Sequence, residues 1–268
     1  MKKIARVISF VSVKGGVGKT TISSEVAICL ANDFKKRVLL IDGNISAPNI
    51  ALYLDLTHKN SLQDVLNGLG FQNAVYESYN VDVIPAALNH FDKTDILRLR
   101  RVIEKLKNRY DFIIIDSSPH YSEMIPVVAA SEMIFVVSTP DRITLETSMK
   151  AARLAKSRGT PIEGIIVNRI SEPLYEMTCE EIEWTTNLPV LARIPEDKKM
   201  IECIFYRQPL MIKNPKSKAA KEIRKLCSAF CGEPEERNWF LKKFLRNSEK
   251  LMKREEINRE ILRRKMMY

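Results

Sequence analysis

The stretch that most constrains this chain is Val11-Ser-Val-Lys-Gly-Gly-Val-Gly-Lys-Thr-Thr21. It leaves an apolar run (Ile4, Val7, Ile8, Phe10, Val11, Val13) with the composition of a buried strand. It enters Ile22-Ser-Ser-Glu-Val-Ala-Ile-Cys-Leu30, which reads as a helix. A strand, a glycine turn carrying a lysine and a hydroxyl, and a helix together make a phosphate-binding loop. Gly15, Gly16 and Gly18 permit backbone conformations closed to other residues and a close approach to a ligand. Exposed N–H groups and the helix N-terminus then face an anion. Lys19 supplies a charge for the outer phosphates, and Thr20 a hydroxyl for a bound magnesium ion.

The loop departs from the general pattern G-x-x-x-x-G-K-[ST] at its first glycine. In its place stands Lys14-Gly15-Gly16-Val17-Gly18-Lys19-Thr20-Thr21, with a second lysine ahead of the glycines. This resembles the deviant Walker A motif of the MinD/ParA family. The resemblance implies that residues 14–21 bind ATP or ADP with Mg2+. It also implies an ATP-bound homodimer in which Lys14 of each subunit reaches the phosphates held by the other.

Two further apolar runs end in an acid. Arg37-Val-Leu-Leu-Ile-Asp42 and Phe112-Ile-Ile-Ile-Asp116 read as buried strands. Their acids would lie at the carboxyl ends of a parallel sheet, where open α/β folds bind ligands. Asp116 resembles the Walker B acid, placed near Thr20 through a metal-bound water. The segment from Asp42 resembles the family's switch I, which usually reads Asp-x-Asp; here it reads Asp42-Gly43-Asn44. In the family the second aspartate polarises the attacking water. Asn44 can hydrogen-bond that water but cannot take its proton, so slow hydrolysis is expected. On this reading Lys14, Lys19, Asp42 and Asn44 carry the catalysis, and Thr20, Asp42 and Asp116 serve the metal.

Later segments follow the same resemblance. Asn168-Arg169, after the strand Ile162-Glu-Gly-Ile-Ile-Val, resembles the adenine-reading position, since a carboxamide both donates and accepts. Arg193-Ile194-Pro195-Glu196-Asp197 resembles the second base-contacting loop. Ser46-Ala-Pro-Asn-Ile and Asn214-Pro-Lys-Ser add a likeness to archaeal MinD-type proteins. Strands alternating with helices predict an α/β fold with a doubly wound, mainly parallel sheet. A short helix from Ser61, a strand over 81–85, an amphipathic helix over 93–109 with a solvated basic face, a helix over 144–158 and a closing helix to about Cys231 are expected. The resemblance covers roughly residues 4–231.

Composition restricts the remaining choices. The chain has 268 residues, 45% of them apolar, and a formal net charge of +10. It contains no run of about eighteen apolar residues, and a loop starting at residue 14 is read as leaving no room for a cleavable leader. The excess positive charge keeps anionic lipid and nucleic acid open as partners. Five cysteines, Cys29, Cys179, Cys203, Cys227 and Cys231, contain no C-x-x-C and read as packed thiols in a reducing cytoplasm.

Gly232-Glu-Pro-Glu-Glu breaks the pattern, so residues 1–232 are read as the ATPase domain and 233–268 as a basic helical tail. Trp239, Phe240, Leu241, Phe244 and Leu245 cluster on one helical face, flanked by Lys242, Lys243, Arg246 and Lys250. That composition suits an interfacial membrane anchor over 237–252, and its place resembles the membrane-targeting helix of MinD proteins. Residues 253–268 carry Ile257, Ile261, Leu262 and Met266 at helical spacing and read as an arm for a protein partner. The resulting expectation is a cytoplasmic ATP-dependent dimerisation switch used in spatial positioning, such as cell division. It would sit peripherally on the inner face of the membrane and have a protein activator. The alternatives are a DNA-associated ParA-like ATPase and a weakly hydrolysing ATP-binding scaffold. An iron–sulfur carrier ranks last, because no cysteine lies near either switch region.

Overall fold

The computed structural model describes residues 4–88, 94–171, 173–233 and 253–267. Eight strands form one sheet: β1 (Arg6–Val11), β2 (Val38–Gly43), β3 (Tyr76–Ser78), β4 (Val81–Ile84), β5 (Phe112–Ser117), β6 (Met133–Ser138), β7 (Ile162–Ile170) and β8 (Val190–Pro195). Their spatial order is β3-β4-β2-β5-β1-β6-β7-β8. Every adjacent pair is parallel except β3 with β4 at one edge. The central strands β1, β2, β5 and β6 are buried almost throughout. Continuous Val/Ile/Leu runs are what a parallel sheet covered on both faces requires.

Helices α1 (Lys19–Asn32) and α10 (Lys218–Cys231) pack on one face, around Ile22, Val26, Leu30, Ile223, Leu226 and Phe230. The other face carries α3 (Leu62–Leu66), α4 (Leu99–Leu106), α5 (Tyr121–Ala130), α6 (Arg142–Ser157) and α7 (Cys179–Thr186). Short α2 (Ile50–Tyr53) follows β2, while α8 (Lys198–Phe205) and α9 (Leu210–Lys213) follow β8.

Local chemistry sets the helix ends. Ser61 and Asp64 form a reciprocal capping box at α3, and Thr178 with Glu181 forms another at α7. The helix expected from Thr144 begins two residues earlier, because the Asp141 carboxylate accepts from the Thr144 amide at 2.8 Å. The amphipathic stretch over 93–109 forms a 3-10 turn at Ile96–Arg98 before α4, and its Arg100, Arg101 and Lys105 are exposed as a solvated face requires.

The C-terminal segment differs from an arm held out for a partner. Residues Arg254–Met267 form a helix, α11, that packs on α10 and on the free edge of β8. Leu262 and Met266 join the core beneath α10. Arg259 is 2% exposed and donates to the Leu191 carbonyl at 2.8 Å, while Asn258 donates to the Val190 carbonyl at 2.7 Å. Both carbonyls belong to β8, so α11 covers a sheet edge that would otherwise offer unpaired groups to another chain. Arg6 of β1 donates to the carbonyls of Phe230 and Met266 and ties down the C-terminal ends of α10 and α11. Lys265 pairs with Glu163 at 2.6 Å and Arg254 with Glu183 at 2.7 Å. All five cysteines are free, and four are buried.

Candidate nucleotide site

The phosphate loop spans the turn from β1 into α1. Gly16 and Gly18 take positive φ values of 78° and 98°, which L side chains rarely adopt. Gly18 is also constrained by space, since a Cβ there would lie 2.3 Å from the Asn168 amide nitrogen. Around Gly15 and Gly16 no atom lies within 4 Å of an added Cβ, so this side of the loop is an open cradle. Lys14 is exposed at its rim. Lys19 is buried, and its ammonium donates to the Lys14 carbonyl at 3.1 Å, curling back over the loop. Burial lowers the Lys19 pKa, and the charge of Asp116 opposes that shift. Val17 is buried beneath the loop, and Thr21 follows Thr20 in the first turn of α1.

Thr20 and Asp116 meet beneath this cradle. The Thr20 hydroxyl donates to the Asp116 carboxylate at 2.5 Å. The other carboxylate oxygen of Asp116 is buried and has no hydrogen-bond partner among the described residues. Asp42 lies beside Asp116, because β2 and β5 pair Asp42 with Asp116 in register. Burial raises the pKa of both acids, and the charge of Asp116 raises that of Asp42 further. A buried acid pair with an orphaned oxygen next to a threonine hydroxyl fits a hard divalent cation bound through oxygen, and so fits Mg2+. Among the described residues no cluster of three or more His, Cys, Asp or Glu has metal-ligating geometry.

The segment expected to act as switch I is built around Asp42. Its carboxylate accepts backbone N–H groups from Asn44, Asn49 and Ile50, each at 3.1 Å, which folds residues 44–50 back over the strand end. Gly43 is required here, since a Cβ would meet the Asp116 carbonyl at 2.6 Å and the Val127 side chain at 2.9 Å. Asn44 donates to the Ala47 carbonyl at 2.6 Å, and its side-chain oxygen is buried without a partner among the described residues.

The two expected base-contacting segments are adjacent, since Asn168 on β7 pairs with Ile194 on β8. Arg169 has a φ of 60° and stands where the register between the strands shifts. Such an irregularity re-aims neighbouring side chains. Asn168 turns onto the phosphate loop and donates to the Val17 carbonyl at 2.8 Å. Arg169 and Glu196 are exposed, Pro195 is half-buried and Ile194 is buried. The Asp197 carboxylate is already engaged, capping α8 through the Lys199 amide at 2.9 Å and accepting from the Ala219 amide at 3.3 Å. Trp239, Phe240, Leu241, Phe244 and Leu245 lie outside the described residues.

A family model described as an AAA domain matches residues 5–151. An uncharacterized ATP-binding protein of Methanocaldococcus jannaschii, MJ0169, is 31% identical over 237 residues, covering 86% of this chain and 90% of the relative. The chain belongs to the MinD/ParA family of P-loop ATPases. Among solved structures, the septum site-determining protein MinD of Pyrococcus horikoshii, complexed with Mg-ADP, superposes with a TM-score of 0.79 at 32% identity, covering 84% of this chain and 95% of that one. The MinC:MinD cell division complex of Aquifex aeolicus matches with a TM-score of 0.78 at 26% identity, covering 86% of this chain and 97% of that one. The mainly parallel sheet flanked by helices is thus a framework that this MinD/ParA-family protein shares with the MinD structures.

One residue central to this framework was not singled out from sequence. Glu25 of α1 is fully buried and accepts from the Tyr53 hydroxyl at 2.5 Å and from the amides of Leu210 and Met211 at 2.6 and 2.8 Å. Burial raises its pKa, and these three donors pull it back down. It joins the phosphate-loop helix to the end of switch I and to α9. A glutamate directly before the apolar run Val26-Ala-Ile-Cys-Leu30 of α1 was the available signal.

Proposed function

We propose that this protein is a MinD-type switch that binds ATP, dimerises around it and hydrolyses it slowly. The observation that carries the reading is the convergence of Lys19, Thr20 and the orphaned oxygen of Asp116 beneath an open glycine cradle. Backbone amides of residues 15–19 and the N-terminus of α1 bind the phosphates. Lys19 neutralises charge on the outer phosphates from a buried position. Thr20, Asp42 and Asp116 would hold a magnesium ion, directly or through water, which would supply positive charge to the phosphates and to the two acids. Lys14, exposed at the rim, is free to reach a nucleotide in a second subunit and close that site to water. Asn168 and Arg169 with residues 194–197 form the base side. Asn168 retains hydrogen-bonding capacity beyond its bond to Val17.

Hydrolysis is slow because the residue facing the attacking water is an amide. The unpartnered oxygen of Asn44 can orient a water, but no carboxylate at that position takes its proton. The biological reading is spatial positioning with a protein activator and reversible attachment to an anionic membrane through residues 237–252. The MinC:MinD relative supports a protein partner by analogy. The test is steady-state ATP turnover of Asn44→Asp against the parent chain. A rise of about a hundredfold or more, the lower end of what one positioned base contributes, supports the reading. An unchanged or lower rate at equal nucleotide affinity shows that water is positioned by another group.

A further inference from the structure

The outer face of α8 carries large apolar side chains that are exposed among the described residues. Only Cys203 of this helix is buried. Phe205 is 79% exposed, Ile201 58%, Ile204 46% and the adjoining Tyr206 56%. Ile201, Ile204 and Phe205 stand three and four residues apart, on one side of the helix. They form an exposed apolar ridge along the helix. Ile212 on α9 is also exposed.

The charge around this ridge is mainly positive. Residues 198–221 hold seven Lys/Arg and one acid, a net of +6 against +10 for the whole chain. The single acid, Glu202, is neutralised by Lys199 at 3.0 Å and Lys213 at 3.7 Å. The ammonium of Lys213 also lies 4.0 Å from the centre of the Tyr206 ring. Of the flanking acids, Asp197 is engaged with backbone amides and Glu222 pairs with Lys225 at 2.7 Å; Glu196 is exposed. The bond from the Ala219 amide to Asp197 holds the start of α10, with Lys216 and Lys218, beside the first turn of α8 with Lys198 and Lys199.

We propose that the α8 ridge is a membrane-contact surface on the ATPase body itself, inserting Ile201, Ile204 and Phe205 among anionic lipid headgroups while the surrounding lysines meet their phosphates. An apolar stripe bordered by cations is the composition of a helix lying in a membrane interface. Each lysine adds attraction to an anionic surface. The exposed isoleucines and phenylalanine separate this from a nucleic-acid surface, which gains from cations and not from aliphatic side chains. The ridge is also joined to the nucleotide site: the Tyr53 hydroxyl at the end of switch I lies 3.9 Å from the Met200 sulfur of α8, Arg207 pairs with Asp55 at 3.3 Å, and Tyr53 also bonds Glu25 of the phosphate-loop helix. The proposal rests on the membrane reading of the protein but assigns the contact to different residues from 237–252.

The test uses the full chain, Mg2+ and a slowly hydrolysed ATP analogue, with sedimentation on phosphatidylglycerol/phosphatidylcholine vesicles and on phosphatidylcholine alone. Phe205→Glu and, separately, Ile201→Glu should each weaken binding to the anionic vesicles by about tenfold or more. Phe205→Leu should restore most of it. Both side chains are exposed, so melting temperature and nucleotide affinity should match the parent chain. Trp239→Glu with Phe240→Glu tests the other contact independently. Loss in that variant with unchanged binding of both α8 variants overturns the α8 proposal and leaves the tail reading standing. Absence of vesicle binding by the parent chain overturns both. Unchanged vesicle binding of Phe205→Glu, with DNA duplex binding abolished by Lys198→Glu and Lys199→Glu, overturns the proposal in favour of a nucleic-acid surface.

Discussion

Replacing Leu262 by Ala tests whether α11 is part of the folded body. Leu262 is 4% exposed and packs in the core with Met266, Phe230 and Leu226. Deleting a buried leucine side chain costs about 2–5 kcal/mol, from lost transfer free energy and the residual cavity. The helix lies at the surface and can relax inward, which places the expected loss at about 2–3 kcal/mol. For a domain of this size each kcal/mol lowers the melting temperature by about 2–4 °C, so Leu262→Ala should melt about 4–12 °C below the parent. Differential scanning calorimetry with and without Mg-ADP measures this. Ile261→Ala is the control, since Ile261 is 64% exposed and should change little. Equal melting temperatures for Leu262→Ala and the parent would show that α11 is undocked in solution and would return it to the role of an arm. A docked α11 also changes how the segment 234–252 is studied. That segment is joined to the body at both ends, through α10 and α11, so truncation at Gly232 removes a core helix along with the anchor under test. Point substitutions at Trp239 and Phe240 avoid that confusion.

Three further outcomes follow from the site. Thr20→Ala and Asp116→Asn should each abolish the magnesium dependence of nucleotide binding, read as loss of the Mg2+-induced gain in affinity by calorimetric titration; a retained gain would mean that the ion is held elsewhere. Gly18→Ala should lose nucleotide binding, because the residue has a positive φ and its new Cβ would collide with Asn168; normal affinity would show that the loop rearranges freely. Glu25 gives a pH signature. Its folded pKa is raised, so between the ordinary carboxylate value of about 4.3 and that raised value the folded state binds the proton and the unfolded state does not. Stability from this group is greatest at low pH and falls as pH rises through the window. Denaturant titrations of Glu25→Gln should lack that part of the slope, and an identical pH profile would refute the assignment.

The nucleotide site was legible because its chemistry is local. Lys14 to Thr21 are contiguous, and Asp42 and Asp116 each end an apolar run that can only be a buried strand. Their meeting in register required the strand order, but parallel α/β topology already places strand-end acids on one edge of the sheet. Glu25 was not legible, because its partners Tyr53, Leu210 and Met211 come from distant parts of the chain and are mainly backbone amides. The docking of α11 escaped for a related reason. Its helical spacing pointed to Ile257, Ile261, Leu262 and Met266, yet Ile261 faces outward, and much of the contact is made by Asn258 and Arg259 bonding to carbonyls on the edge of β8. Hydrophobic periodicity cannot report a helix that docks through polar side chains on a strand edge. Asn168 was singled out as a base reader, and its position beside the phosphate loop depends on the irregular β7–β8 register at Arg169, which the sequence does not reveal.

The central claim is that nucleotide controls association through Lys14. Multi-angle light scattering on the purified full chain measures this directly, with Mg2+ and either ADP or a slowly hydrolysed ATP analogue, for the parent and for Lys14→Ala. The account predicts a dimer only for the parent with the ATP analogue, and a monomer with ADP and for Lys14→Ala in both states. A monomer under saturating ATP analogue, or a dimer indifferent to nucleotide and to Lys14, would contradict it.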